Sequence, residues 1–242
     1  MVELGSLKKP STFAKKTIGL NMERIDIRQV QNKMTYAEYI AKMNALLAEG
    51  KTATTDDGKG LDLRHYTEMN MQRMRRLDKT TELADETVSV LSQISKPLTW
   101  LTLTEGWCGD AAQIIPVIEK MASINPLISH HLIFRDEHLD IMDAFLTDGG
   151  RSIPKIIALN TVREDSHEEG VVLGAWGPRP MTLQAIIQNQ KIKMMQMDKE
   201  ARKAYFEEVK TDVQRWYNAD KTQSIQRELI VEIKKWMGRV SV

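Results

Sequence analysis

From position 36 onward the apolar residues Tyr36, Tyr39, Ile40, Met43, Leu46 and Leu47 recur at intervals of three and four. That spacing collects them on one side of a helix. Thr35 and Glu38 stand at capping-box separation at its start, where a hydroxyl and a carboxylate satisfy free backbone N–H groups. Gly50 is a natural stop. Two more helices are predicted over about 62–78 and 82–95, the second aligning Leu83, Val88, Leu91 and Ile94. Residues 1–30 carry no sustained period and read as a loosely ordered arm. Residues 54–60, Thr-Thr-Asp-Asp-Gly-Lys-Gly, read as a loop.

After Pro97 the pattern changes. Pro97-Leu-Thr-Trp-Leu-Thr-Leu-Thr104 is a β-type run, followed by a helix over about 108–123 that carries Ile114, Ile115, Val117, Ile118 and Met121. A second strand is predicted at about 130–135. A short helix at about 138–147 is stopped by Asp148-Gly149-Gly150. A third strand spans 154–160, a polar loop 161–169, and a fourth strand 170–175. The crossover helix makes the first two strands parallel, and the loop makes the last two antiparallel. From Met181 the chain is helical again, in two or three helices with Trp216, Tyr217, Ile225, Leu229, Ile233 and Trp236 as a packing face. No internal repeat or low-complexity tract interrupts this order.

The 242 residues hold 34 Lys+Arg against 33 Asp+Glu, a net charge of +1, with 42% hydrophobic residues. This balance suits a globular protein and argues against a dedicated nucleic-acid binder, which carries a basic excess. No apolar run is long enough for a membrane span. The opening Met-Val-Glu-Leu-Gly-Ser-Leu-Lys-Lys-Pro lacks the apolar stretch of a signal peptide, so a cytoplasmic, soluble protein is expected. Cys108 is the one cysteine. It leaves no internal disulfide, no zinc site built on several thiolates and no self-contained dithiol cycle.

That cysteine lies in Glu105-Gly-Trp-Cys-Gly-Asp-Ala111, where a strand ends and a helix begins. A thiol at a helix N-terminus faces unsatisfied N–H groups and the positive end of the dipole, and both favour the thiolate. Gly106 and Gly109 leave room for the backbone to turn. Pro154, in Arg151-Ser-Ile-Pro154, follows Cys108 by 46 residues.

Over roughly residues 97–190 the chain resembles the thioredoxin superfamily. Trp107, Cys108 and Gly109 match the first three positions of the family's Trp-Cys-Gly-Pro-Cys, and Pro116 matches a proline eight residues beyond its cysteine. Arg151-Ser-Ile-Pro154 matches an Arg-Gly-Ile triplet before the family's cis-proline, with one change. Gly174 matches a glycine of its last strand. The resemblance implies that Cys108 is the attacking thiol, that the Ile153–Pro154 bond is cis beside it, that the backbone of Ile153 pairs with a substrate peptide, and that Trp107 helps form the surrounding apolar surface. A single-cysteine protein of bacterial type is implied.

The departures shape the expected chemistry. Ala111 replaces the family's resolving cysteine, Asp110 its intervening proline, and Thr102 its buried acid. A mixed disulfide at Cys108 then needs an external thiol for its resolution, as in monothiol glutaredoxins, some of which hold an iron–sulfur cluster with a second chain. An acid about 4 Å from the sulfur costs about 1 kcal/mol in water-like surroundings and more in a drier site. The helix N-terminus returns a comparable amount, so the sign of the net effect is left open. Asp110 is read either as stabilising the first helical turn or as a proton acceptor, shared with Glu105.

Several other signals are set aside. Gly50-Lys51-Thr52 lacks the upstream glycine of a phosphate loop, Ala45 standing there on a helix. Asp56-Asp57-Gly58 lacks the alternating ligands of a calcium loop. His130 and His131, adjacent on a strand, point to opposite faces, and with His65, His138 and His167 are read as surface or packing residues. Arg73, Arg75, Arg76 and Lys79 are read as a solvated helical face, and Met194, Met195 and Met197 as core filler. Trp176-Gly-Pro-Arg-Pro180 follows the last strand and is read either as a structural turn or as the place where Arg179 stabilises a thiolate or grips a carboxylate.

The expected architecture is α/β, a thioredoxin-like mixed sheet with flanking helices and helical extensions at both ends. The divisions are a helical arm and extension (1–96), a thioredoxin-like domain (97–190) and a C-terminal extension (191–242) packing on the same core. The expected function is monothiol thiol–disulfide exchange, with Cys108, Asp110 and Trp107 as catalytic residues and Ile153, Pro154 and Arg179 as substrate-binding ones. The alternatives are a redox-inactive module binding a peptide or protein, and an iron–sulfur carrier. A client protein or low-molecular-weight thiol is the expected partner, with a homodimer through the extensions as a further possibility. No metal, cofactor, nucleic acid or membrane is expected.

Overall fold

The computed structural model describes residues 23–52, 63–164 and 167–240. Most of the predicted arm (1–22) and the loop at 54–60 lie outside the described residues. The sheet has five strands: β1 (Arg24–Asp26), β2 (Leu98–Thr104), β3 (Ile128–Phe134), β4 (Lys155–Glu164) and β5 (His167–Trp176), in the order β1-β5-β4-β2-β3. β2 pairs parallel with β3 and antiparallel with β4, and β4 pairs antiparallel with β5. This is the mixed α/β sheet expected.

Among the described residues eight α-helices accompany it: α1 (Tyr36–Ala48), α2 (Arg64–Thr80), α3 (Asp85–Ser92), α4 (Gly109–Ala122), α5 (Leu139–Ala144), α6 (Met181–Met195), α7 (Lys199–Asp220) and α8 (Gln223–Val240). α1 opens with the full Thr35–Glu38 capping box, and Gly50 adopts φ +70° just past its end.

Alternate residues of β2 and β4 feed two cores, as side chains on a pleated strand must. Trp100 and Ala158 join Ile114, Val117 and Ile118 of α4, Leu91 of α3, and Leu229, Ile233 and Trp236 of α8. Leu101, Leu103, Ile157 and Leu159 join Ile115 of α4, Tyr39 and Met43 of α1, and Met71 and Met74 of α2. Helices that precede the strand β2 (α1–α3) and the last helix α8 therefore pack on the central sheet.

Three expectations are corrected. A fifth strand, β1, arises from within the supposed arm and pairs antiparallel with β5, Ile25 opposite Gly170. The polar segment 161–169 is not a loop: β4 and β5 stay paired out to Glu164 and His167. The polar composition hid this extension, because β2 ends its pairing at Asn160 and the ladder continues beyond the sheet's central strand. Met195 is not core filler. It is 80% exposed at the end of α6, a helix that buries only Leu183.

Candidate functional site

Cys108 is the N-cap of α4, with its sulfur accepting from Ala111 N–H at 3.5 Å. β2 ends four residues before it, and the intervening turn is held from outside the sheet. Buried Asn70 on α2 donates from Nδ2 to Gly106 O at 3.0 Å, and its Oδ1 accepts from Arg73 at 2.8 Å. Gly106 cannot carry a side chain without displacing a neighbour, since a Cβ there would sit 2.5 Å from Met43 Sδ. The Ile153–Pro154 bond is cis, and the thiol donates to Ile153 O at 3.4 Å.

Asp110 turns away from the backbone N–H groups. Arg179 donates to its Oδ2 from Nε at 3.0 Å and again from Nη2, and Tyr217 O–H donates to its Oδ1 at 2.8 Å. The first partner comes from the turn after β5 and the second from α7. Both side chains of the ion pair are nearly buried, at 13% and 12% exposure. Burial is the largest single effect and lowers the Arg179 guanidinium, but the charge and hydrogen bonds of Asp110, with Tyr217 and Cys108, together outweigh it and hold the pKa raised. The same carboxylate and burial push Tyr217 well above the ordinary phenol value.

The thiol is a poor acid here. Burial first, then the Asp110 charge, push Cys108 up to about 12, against weaker opposing effects of the Ala111 and Asp110 N–H groups and Arg179. Desolvation thus decides the competition that the sequence left open. Cys108 is 8% exposed. Its neighbour Trp107 is half-buried under the Arg135 guanidinium, 5.2 Å from the ring centre.

All six candidate residues lie in this one region. Cys108 meets Ile153, which precedes Pro154 across the cis bond; Asp110 and Arg179 form an ion pair, and Trp107 borders Cys108 in sequence. Asp110, the acid of the first turn of α4, is the partner of Arg179 and Tyr217. Ile153 O accepts from the thiol. Glu105 is fully buried and accepts from Asp136 N–H at 3.1 Å. Thr102, at the position of the family's buried acid, faces His130 Nε2 at 3.0 Å, and His130 Nδ1 meets Glu119 at 2.8 Å.

Sequence reasoning missed Tyr217, Asn70 and a second cis bond, Gly177–Pro178. Tyr217 lies 107 positions from Asp110 and was legible only as a packing residue. The arginines of α2 are not simply solvated: Arg75 reaches Asn44 and Arg76 reaches Asn218. Among the described residues no three His, Cys, Asp or Glu side chains converge as a metal site, and no helix is long and apolar enough to cross a membrane.

The raised thiol has a consequence for stability. Its ordinary value is 9.0 and its folded value about 12, so the folded state keeps a proton that the unfolded chain loses. The contribution is complete below pH 9 and is lost as pH rises through 12. Lys155, pushed down to about 8 by burial, works in the opposite sense between pH 8 and 10.5. Denaturant unfolding at pH 8 to 11 is therefore expected to show a shallower alkaline loss in Cys108→Ser than in the parent chain. Equal slopes would contradict the buried thiol.

No curated protein matches the chain. Two solved structures share its outline at TM-score 0.46. One is an HIV epitope-scaffold, 15% identical, and the other a protein of unknown function from Pseudomonas aeruginosa, 16% identical; each alignment covers 83% of this chain and 98% of the other. The profile of the family described as Thioredoxin matches residues 61–196, more than half of the chain and all six residues of the site, and the chain belongs to that family.

Proposed function

We propose that the protein is a monothiol thiol–disulfide exchanger whose cysteine rests protonated and enters reaction when the contacts around Asp110 open. The observation that carries this reading is the position of Cys108 Sγ, at the N-terminus of α4 and 3.4 Å from the carbonyl before the cis-proline. A thiolate formed there meets the Ala111 N–H and the Arg179 charge. In the resting state burial and Asp110 oppose it, so free protein reacts slowly.

The exchange runs in two balanced steps. The Cys108 thiolate attacks a disulfide, forming one S–S bond to Cys108 and expelling the other half as a thiolate. A second, external thiolate then attacks the partner sulfur, releasing Cys108 and leaving a new external disulfide. No second thiol of this chain takes part.

Alkylation of Cys108 across a pH series tests the resting state. The rate at pH 7 is expected to be low and to climb through pH 10, well past the ordinary thiol value of about 8.5. A plateau below pH 8.5 would overturn the resting-state assignment. A soluble aromatic disulfide at pH 10 should give one adduct per chain, released by reductant and absent from Cys108→Ser. If no adduct forms, exchange is excluded and a second reading takes its place, a redox-inactive module that binds a partner through the surface at Trp107. The half-buried Trp107 ring beneath Arg135 favours that alternative.

A further inference from the structure

A cleft of about 580 Å³ lies between the end of α2 and the α7–α8 turn, within the size range of small-molecule sites. Its lining mixes apolar surface from Leu77 and Leu83 with polar groups, Arg76 and Thr81 on one side, Gln113 of α4, and Asn218 and Lys221 on the other. Lys221 and Thr222 shape the turn, both at positive φ (48° and 66°).

The charges of this cleft are unbalanced. Among the described residues neither Arg76 nor Lys221 has an ionic partner, and Arg76 donates only to Asn218 Oδ1 at 3.2 Å. Glu82 is the one carboxylate in the lining. Asp220, the last residue of α7, is engaged by Ser224 N–H. One turn before Arg76, the Arg73 guanidinium is half-buried and bonds only Asn70 and Met69. Burial and the Arg76 charge both lower its pKa.

A second, independent feature lies in the same lining. Thr81 is 4% exposed and its Oγ1 has no hydrogen-bond partner. Its peptide groups are satisfied, N–H by Leu77 O and the carbonyl by Lys120. A buried hydroxyl without a partner costs free energy that a ligand acceptor would recover. Arg76 and Lys221 outnumber the single carboxylate of Glu82 in the lining, and arginine and lysine are the groups that grip carboxylate or phosphate oxygens.

We infer that this cleft binds a small organic anion carrying carboxylate or phosphate groups, with Arg76 and Lys221 as the charged contacts and Thr81 as a hydroxyl donor. The inference stands apart from thiol chemistry, although Tyr217 is common to the cleft and the Asp110 cluster.

The test titrates citrate and inorganic pyrophosphate separately into the full chain and into Cys108→Ser, by calorimetry and thermal unfolding at constant ionic strength. At least one probe is expected to bind both proteins equally and to raise the unfolding temperature with concentration. Arg76→Gln and Lys221→Gln, at exposed positions that leave the core intact, should each weaken it by about tenfold, the scale of one charged contact. Arg75→Gln, on the same helix but bonded to Asn44 of α1, should leave binding unchanged. The inference is overturned if neither probe exceeds sodium chloride of equal ionic strength, or if all three variants bind alike.

Discussion

Asp110→Asn is expected to bring the Cys108 thiol down by one to two pH units, accelerating alkylation at pH 8 by roughly 10- to 100-fold, each unit being a factor of ten in thiolate. The substitution removes the like charge that raises the sulfur and frees the Arg179 cation, which already favours the thiolate. Tyr217 O–H can still donate to the amide oxygen, so the α7 contact survives. Arg179→Gln is expected to act oppositely. It leaves Asp110 buried without its cation, pushing the thiol further up and costing roughly 3–5 kcal/mol of stability. The pair of alkylation profiles is the measurement. If both variants moved in the same direction, access would control the thiol and the local charges would not.

Trp236→Ala is expected to cost about 3–5 kcal/mol, the range for truncating a buried tryptophan. At roughly 2–4 °C per kcal/mol for a chain of this size, the unfolding temperature falls by about 6–20 °C. Trp236 is 1% exposed, stands edge-on to Trp100 of β2 with ring centres 6.4 Å apart, and approaches Gly174 so closely that a Cβ there would lie 2.6 Å from its Nε1. The last helix is thus a wall of the central core. A small loss confined to α8, with the sheet unaffected in hydrogen exchange, would show instead that the C-terminal helices fold as a separable unit.

These two sites differ in how far they could be read in advance. Trp236 stood in the predicted packing face of the C-terminal helices because it shares a helical period with Ile225, Leu229 and Ile233. The period says that such a face is buried, and Trp100 and Gly174 supply what it is buried against. At the site, Trp107, Cys108 and Pro154 were legible because a thiol at a strand-to-helix turn and a proline at a strand start are local patterns. Asn70 and Tyr217 were not, since their roles depend on α2 and α7 arriving beside one turn.

The order of helices and strands, the parallel and antiparallel pairings, the α1 cap and the seat of Cys108 on a helix N-terminus follow from short-range spacing, because backbone geometry and periodicity act over a few residues. The extent of the β4–β5 ladder, the β1 edge strand and the protonated state of the thiol follow from tertiary structure. A polar strand pairs wherever a partner backbone lies alongside it. A cysteine's acidity is set by how much water is removed from the sulfur and by which charges lie near it; for Cys108 the first comes from packing, and the charges are Asp110 in the same turn and Arg179 brought in from beyond β5.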